Sequence, residues 1–361
     1  MSIGLPQIEI IFKQLASSAI VRSQRGIVAL IVKDNTDITF TLKEYTSVLD
    51  IETAKFTAAN VNYIKDVFAG SPSKVLVVRV GTASVTAVVD AITALGSKKY
   101  NWIGLAAGTA DEQDDLSVYV KEQEALNKSI KAIVYDVTAP NSMHVVNFTN
   151  ASVTYTSGTT VTGEKFIARL LGVFAGLSTS LTQSATYLAF ADLLSVVEPA
   201  DVEVAVNSGE LVLFNDEETV RIARAVNSLT TYTANVTESM SKIIIVESMD
   251  LIRSDVYNTF KNEYLSKYKN KYDNQVLLIS AINSYLSDLA NEGILDSAYA
   301  NTCYVDIEAQ RNAWLSIGTT EAADWDDVTV RNKSFRSNVY LGGQIKILDS
   351  MEDFSFSIAM E

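Results

Sequence analysis

His144 is the only histidine in this 361-residue chain and Cys303 its only cysteine. A Ser-His-Asp or Cys-His nucleophile, or an imidazole-bound metal, would have to use that single ring. The ring lies in MHVVNF, an alternating stretch read as a strand, and no G-x-S-x-G elbow occurs in the chain. His144 is therefore read as a strand histidine, and Cys303, in NTCYVD, as a small packed side chain rather than a nucleophile. The run GTTVTGEK, residues 158–165, comes near a phosphate-binding loop. It has Glu164 where that motif has its lysine, and Phe166 rather than Ser or Thr beyond Lys165. The turns GTAS and GTAD also lack the G-x-G-x-x-G that lets a pyrophosphate approach the backbone. Asp111, Glu112, Asp114 and Asp115 could attract a cation, but they sit where a helix begins, and acidic side chains there complement the helix dipole. No catalytic, cofactor-binding or metal-ligating residue is assigned, and no cofactor is expected.

With chemistry set aside, the bulk of the chain becomes informative. Hydrophobic residues make up 48% of it and there are only four prolines, enough to fill large ordered cores. A formal charge of −14 argues against nucleic-acid or anionic-membrane partners, which need a positive field. A lone cysteine cannot form an intrachain disulfide. The start, MSIGLPQIEI, does not read as a secretion signal, and the greasiest window, FIARLLGVFAGL, is too short to span a membrane and contains Arg169. Cytoplasmic assembly without membrane insertion is the expectation.

Along the chain, GIVALIVK, KVLVVRV, NWIGLAA and IKAIVYDV are strand-like runs recurring about every 28 residues, with helical patterns between them. Helices are expected over 58–69, over about 85–95 with Gly96 ending it, and over 110–127 with a Thr109/Glu112 capping box. This is the signature of a parallel α/β sheet. Residues 143–163 read as a β-hairpin excursion and 163–178 as a helix. ELVLFND and VRIARAVNSLT read as two strands joined by an acidic turn. Two long helices follow, about 242–268 and 274–291, and YVDIEAQ, DVTVRN and the C-terminal stretch are expected to be mostly strand. The expected fold is α/β (α+β overall). It comprises an N-terminal strand arm (1–20), an α/β body (21–240), a C-terminal α+β domain (241–348) and a C-terminal strand arm (349–361).

Both ends look adhesive. Near the start, Gln7, Ile8, Glu9, Ile10, Ile11, Phe12 and Lys13 place Ile8, Ile10 and Phe12 on one face. Near the end, Asp353, Phe354, Ser355, Phe356, Ser357, Ile358, Ala359 and Met360 alternate with the period of a half-buried strand. Such strands need partners. One further surface stands out in this acidic chain, where Lys261, Lys267, Lys269 and Lys271 interleave with Tyr264, Tyr268 and Tyr272. It is read as a possible interface patch on a solvated helix end, not as a nucleic-acid site.

The stretch GELVLFNDEETVRIARAVNSLTT, residues 209–231, resembles the strand-turn-strand of contractile tail sheath proteins, with their Arg-x-x-Asn-(Ser/Thr)-Leu-Thr element at Arg224 to Thr230. RGIVALIVK, KVLVVRVG and KFIARLLGVFAGLSTS resemble sheath segments in the same order, so the resemblance covers nearly the whole chain. The nearest likeness is to compact sheaths of Gram-positive phage-like particles, including R-type bacteriocins such as the diffocins. The Ala-Pro-Ala-Asn-type loop of many phage sheaths is replaced by LTQSATYLAF, and large outer insertions are absent. The resemblance implies a structural, non-enzymatic subunit of stacked hexameric rings around an inner tail tube, ending at baseplate and terminator proteins. It also implies that both terminal arms donate strands to neighbouring subunits, with acceptor strands among residues 300–348. The subunit would be cytoplasmic during assembly and then part of a released particle. The competing readings are an α/β enzyme or nucleotide-binding protein, and a different strand-exchanging assembly protein.

Overall fold

The computed structural model describes residues 19–360. The described chain divides into two compact units, one of residues 22–254 with the segment from 347 onward, the other of residues 255–346 with residues 19–21. The expected strand at Gln7 to Lys13 lies outside the described residues.

The larger unit begins with β1 (Ile27–Lys33), β2 (Leu42–Tyr45), α1 (Ala58–Ala69), β3 (Lys74–Val80), α2 (Ala87–Leu95), β4 (Trp102–Leu105), α3 (Ala110–Ala125) and β5 (Lys131–Tyr135). It continues through β6 (Val145–Phe148), β7 (Ser152–Tyr155), β8 (Thr160–Thr162), α4 (Gly163–Leu177), β9 (Ala189–Phe190), β10 (Leu193–Val196), α5 (Val202–Asn207), β11 (Glu210–Leu211), β12 (Leu213–Asp216) and β13 (Thr219–Ile222). The central seven-stranded sheet has the order β11-β6-β5-β4-β1-β3-β2, and every pairing is parallel except that of β2 with β3.

Period-two alternation in β1 and β3 builds two cores rather than one. Val28, Leu30, Val32, Val75 and Val77 face one layer together with α1 and α4 residues. Ile27, Ala29, Ile31, Leu76 and Val78 face the other with α2 and α3 residues. Because helices cover both faces, these strands read as unbroken apolar runs. The predicted capping box of α3 is present, with the Thr109 side chain accepting from the Glu112 amide and the Glu112 carboxylate accepting from the Thr109 amide. α1 and α4 approach so closely that a methyl at Gly172 would lie 2.1 Å from the Val67 carbonyl oxygen.

Three expectations are revised. Residues 143–163 do not form one excursion: Val145–Phe148 joins the central sheet, and only β7 and β8 form a hairpin, flanked by β10. The second strand of the 209–231 stretch stops at Ile222, because the residues beyond it satisfy their polar groups on neighbouring loops. α6 (Ile243–Thr259) ends earlier than expected, in a π-helical turn at Phe260–Tyr264.

The smaller unit takes in the end of α6 and holds α7 (Tyr272–Asn291), β14 (Thr302–Val305), α8 (Ile307–Ser316), α9 (Asp327–Asn332) and β15 (Leu341–Gln344), with β14 and β15 antiparallel. Two segments expected as strand are helical here. Asp306 and Asp326 act as N-caps, accepting from the Ala309 and Thr329 amides, and start α8 and α9. The short alternation of DVTVRN cannot tell a strand from one helical turn, and the cap decides.

Candidate assembly interface

The C-terminal segment shows its apolar residues to solvent. Residues 351–360 belong to no strand ladder, and Phe354, Phe356, Ile358 and Met360 are 89%, 70%, 70% and 92% exposed. The rings of Phe354 and Phe356 lie side by side, 6.1 Å apart, on one face of the extended chain. The sequence expected a strand at Asp353 to Met360. Alternation fixes the face but cannot supply the partner, so the segment is extended without pairing among the described residues.

The root of this segment rests on the Arg224–Thr230 element. Arg224 Nη2 donates to Asp353 Oδ1 at 2.6 Å. Asn227 is fully buried, donates to the Met240 carbonyl at 2.7 Å, accepts from the Leu229 amide at 3.0 Å, and its own amide donates to the Ser241 carbonyl at 2.8 Å. The Ser228 amide donates to the Val145 carbonyl and its hydroxyl to the Ser142 carbonyl, stapling the element to the sheet. A bridge between Val226 and Lys242 ties it to the residue that precedes α6. The element therefore joins the sheet, the start of α6 and the root of the C-terminal segment. Its chemistry is structural: an arginine for carboxylates, a buried amide for backbone groups.

Beneath it lies a charge cluster that sequence reasoning missed. Arg25 pairs with Glu247. Lys131 Nζ lies 2.5 Å from Asp250 and 3.2 Å from Glu247. His144 Nε2 is 3.1 Å from Asp250 and its Nδ1 3.2 Å from Glu124. Arg25, Lys131, His144, Glu247 and Asp250 are all buried. Burial opposes a charge on His144, but Asp250 and Glu124 outweigh it and raise its pKa above 6.5. For Asp250 burial works in the opposite sense, and Lys131 and His144 outweigh it and hold the carboxyl well below the usual range. The cluster fixes the first half of α6 to β5 and to the start of β6. Its members lie far apart in sequence, and only the partners' convergence could reveal it.

The sites tested for catalysis have structural occupants. The sheet order places a topological switch between β1 and β4, the usual crevice for ligands in such sheets. There Lys33 pairs with Glu112 at 2.5 Å, while Asp34 accepts from the Thr36 and Thr57 amides and from Asn60 Nδ2, each at 2.7 Å. Burial would raise the Asp34 pKa, yet these hydrogen bonds lower it to about 2. In the GTTVTGEK run, a methyl on Gly163 would lie 2.1 Å from the Tyr135 ring, so that glycine serves close packing. Cys303 sits half-buried in β14, where burial raises its thiol pKa. Among the described residues no His/Cys/Asp/Glu group is arranged to hold a metal, and no helix is long and apolar enough to cross a membrane.

The basic patch is split by burial. Tyr264 packs inside, its ring 5.4 Å from Tyr268, and Tyr272 is half-buried. Lys261, Lys267, Lys269 and Lys271 are exposed, with Lys267 paired to Glu263 and Lys271 to Asp273. In the same unit, Asn283 of α7 donates to the Cys303 carbonyl and accepts from the Cys303 amide, so it occupies the outer edge of β14.

Comparison with known proteins gives a consistent likeness. A profile described as the phage tail sheath C-terminal domain matches residues 235–361. A tail sheath protein of Clostridium phage phiCD119 is 33% identical over 366 residues, covering 99% of each chain. Among solved structures, the sheath tail protein of Desulfitobacterium hafniense aligns with a TM-score of 0.69 at 15% identity, over 83% of this chain and 94% of that one. The contracted helical sheath of the anti-feeding prophage aligns with a TM-score of 0.73 at 10% identity, over 99% of both chains.

Proposed function

The chain belongs to the tail sheath protein family, and from that premise we propose that it is the structural subunit of a contractile sheath whose stacked hexameric rings enclose an inner tube. Subunit repacking drives the tube through a target envelope. The observation that carries the assembly part of this reading is the exposed alternating segment from Phe354 to Met360. An unpaired apolar strand is a liability in a monomer and a joint in a polymer, where strand addition supplies backbone hydrogen bonds and alternate side chains fill pockets.

The acceptor is the β14–β15 sheet of a neighbouring subunit. Two strands alone are marginal, and added strands complete them. Asn283 occupies the β14 edge, which directs addition to the β15 side. Gln7 to Lys13 would donate in the same way. The exposed lysines at 261, 267, 269 and 271 are a second candidate contact, toward acidic surfaces of the sheath or its tube.

The work comes from interfaces rather than from a reaction. Burial of on the order of 200 Å² more apolar surface per subunit would release roughly 5 kcal/mol at about 25 cal/mol per Å². Summed over many subunits, that energy is stored when the extended state assembles and released on repacking. The remaining partners are the tube, baseplate and terminator proteins, with assembly in the cytoplasm and release in a phage or phage-like particle.

A synthetic peptide of residues 353–361 tests the joint. Added in excess to the full-length chain with its tube protein, it should occupy acceptors and shorten or abolish the cylinders, while a scrambled peptide has no effect. Unchanged cylinder length at saturating peptide would overturn the donated-strand reading.

A further inference from the structure

Two residues before the exposed segment, the chain is held fast. Glu352 has a side chain only 5% exposed, although Asp353 beside it is 81% exposed. Its Oε1 accepts from Thr186 Oγ1 at 2.8 Å and Ser184 Oγ at 3.2 Å. Its Oε2 faces Lys242 Nζ at 3.0 Å and Arg224 Nε at 3.6 Å. Lys242 also holds Asp349 at 2.6 Å, and Thr186 Oγ1 accepts from the Ala225 amide at 3.0 Å. A carboxylate gathered by two cations and two hydroxyls, in a segment otherwise at the surface, is a built seat.

We propose that Glu352 is the fixed pivot of the C-terminal arm, the point where a neighbour's pull on residues 354–360 enters the body. The proposal rests on the donated-strand reading and adds to it where the arm stops being free. From Glu352 the pull divides. Arg224 and Thr186 deliver it to the Arg224–Thr230 element, and Lys242, the residue preceding α6, delivers it to that helix, which the buried charge cluster holds to the sheet. A tether that pivots at residue 352 transmits displacement. One that peels back to residue 347 gains about five residues of slack, about 17 Å of extended chain, and transmits none until that slack is taken up.

The experiment compares full-length wild type, Glu352→Ala, Glu352→Gln and Asp353→Asn, with a chain ending at Asp353 as the donor-less reference. Backbone order is read by 15N relaxation on free subunits, and cylinders are imaged after assembly with the tube protein. In Glu352→Ala, the heteronuclear NOE of 350–353 should fall to the low value of 354–360, with the melting temperature unchanged. Glu352→Gln, which keeps its hydroxyl contacts, should fall between it and wild type, and Asp353→Asn should match wild type. Glu352→Ala should still form cylinders, because its donor strand is intact, but with irregular ring spacing.

Wild-type order of 350–353 in Glu352→Ala would overturn the pivot, and so would regular cylinders despite a mobile root. Failure of the underlying reading shows elsewhere. If the chain ending at Asp353 assembles as wild type does, donation by residues 354–360 is wrong, and the pivot falls with it.

Discussion

Replacing Lys131 with methionine removes one cation from the buried cluster while nearly preserving side-chain volume. Lys131 Nζ lies 2.5 Å from Asp250 and 3.2 Å from Glu247, against the Trp102 ring at 5.4 Å. Taking one partner from a buried pair costs about 3–5 kcal/mol, because the other charge is left without compensation. Arg25 still holds Glu247 and His144 still holds Asp250, so the expected loss is near the low end, about 3 kcal/mol. With a urea m-value of about 3 kcal/mol/M, the unfolding midpoint should fall by about 1 M. Three tryptophans occur in the chain, and Trp102 is the one in the larger unit. In a Trp314→Phe/Trp325→Phe background ending at Asp353, which on the donated-strand proposal stays unpolymerised, its fluorescence reports that unit alone. Asp250→Asn should be costly as well, and the double variant should cost clearly less than the two single losses added together. A midpoint shift below about 0.3 M for Lys131→Met, or strict additivity in the double variant, would refute the reading of a closed and desolvated charge set.

Two further outcomes follow from the same unit. Gly172→Ala should destabilise it by about 3 kcal/mol or prevent folding, since the new methyl meets the Val67 backbone. Gly158→Ala, with nothing within 4 Å but φ at +84°, should cost only the backbone strain of about 1–2 kcal/mol. Equal effects in thermal melts would contradict the packing argument. His144, the single histidine, gives one imidazole signal by NMR, and its pKa should lie above 6.5. Because the folded value is raised, the proton on His144 stabilises the fold fully below about pH 6.5, and that contribution is lost as pH rises through the folded value. The stability gap between wild type and His144→Gln should shrink over that interval. A pKa at or below 6.5 would show that burial, not Asp250 and Glu124, governs the ring.

What the sequence made legible was whatever repeats locally. The strand runs of β1, β3, β4 and β5 and the helices α1, α3 and α4 follow from apolar periodicity, and the Thr109/Glu112 cap from its spacing. The second strand expected at 220–230 ended early because Asn227 and Ser228 are spent on loops distant in sequence. α9 was hidden because one turn of helix and three residues of strand share the same alternation, and Asp326 settles the choice. The Lys131–Asp250–His144 contacts join residues more than a hundred positions apart, which periodicity cannot report. The Arg224–Thr230 element was visible as a resemblance, but its role as the seat of the C-terminal root needed the geometry of Glu352. The C-terminal segment was expected as a strand with one apolar face; its apolar side chains are exposed and it is unpaired among the described residues, and the proposed function assigns it a partner in another molecule.

That partner is the central claim, and electron microscopy of two chains tests it most directly. The full-length protein and a chain ending at Asp353, each mixed with the inner tube protein, differ only in the exposed segment beyond the Glu352 seat. The account predicts long hollow cylinders from the first and only small species from the second. Equally long, regular cylinders from both would contradict it.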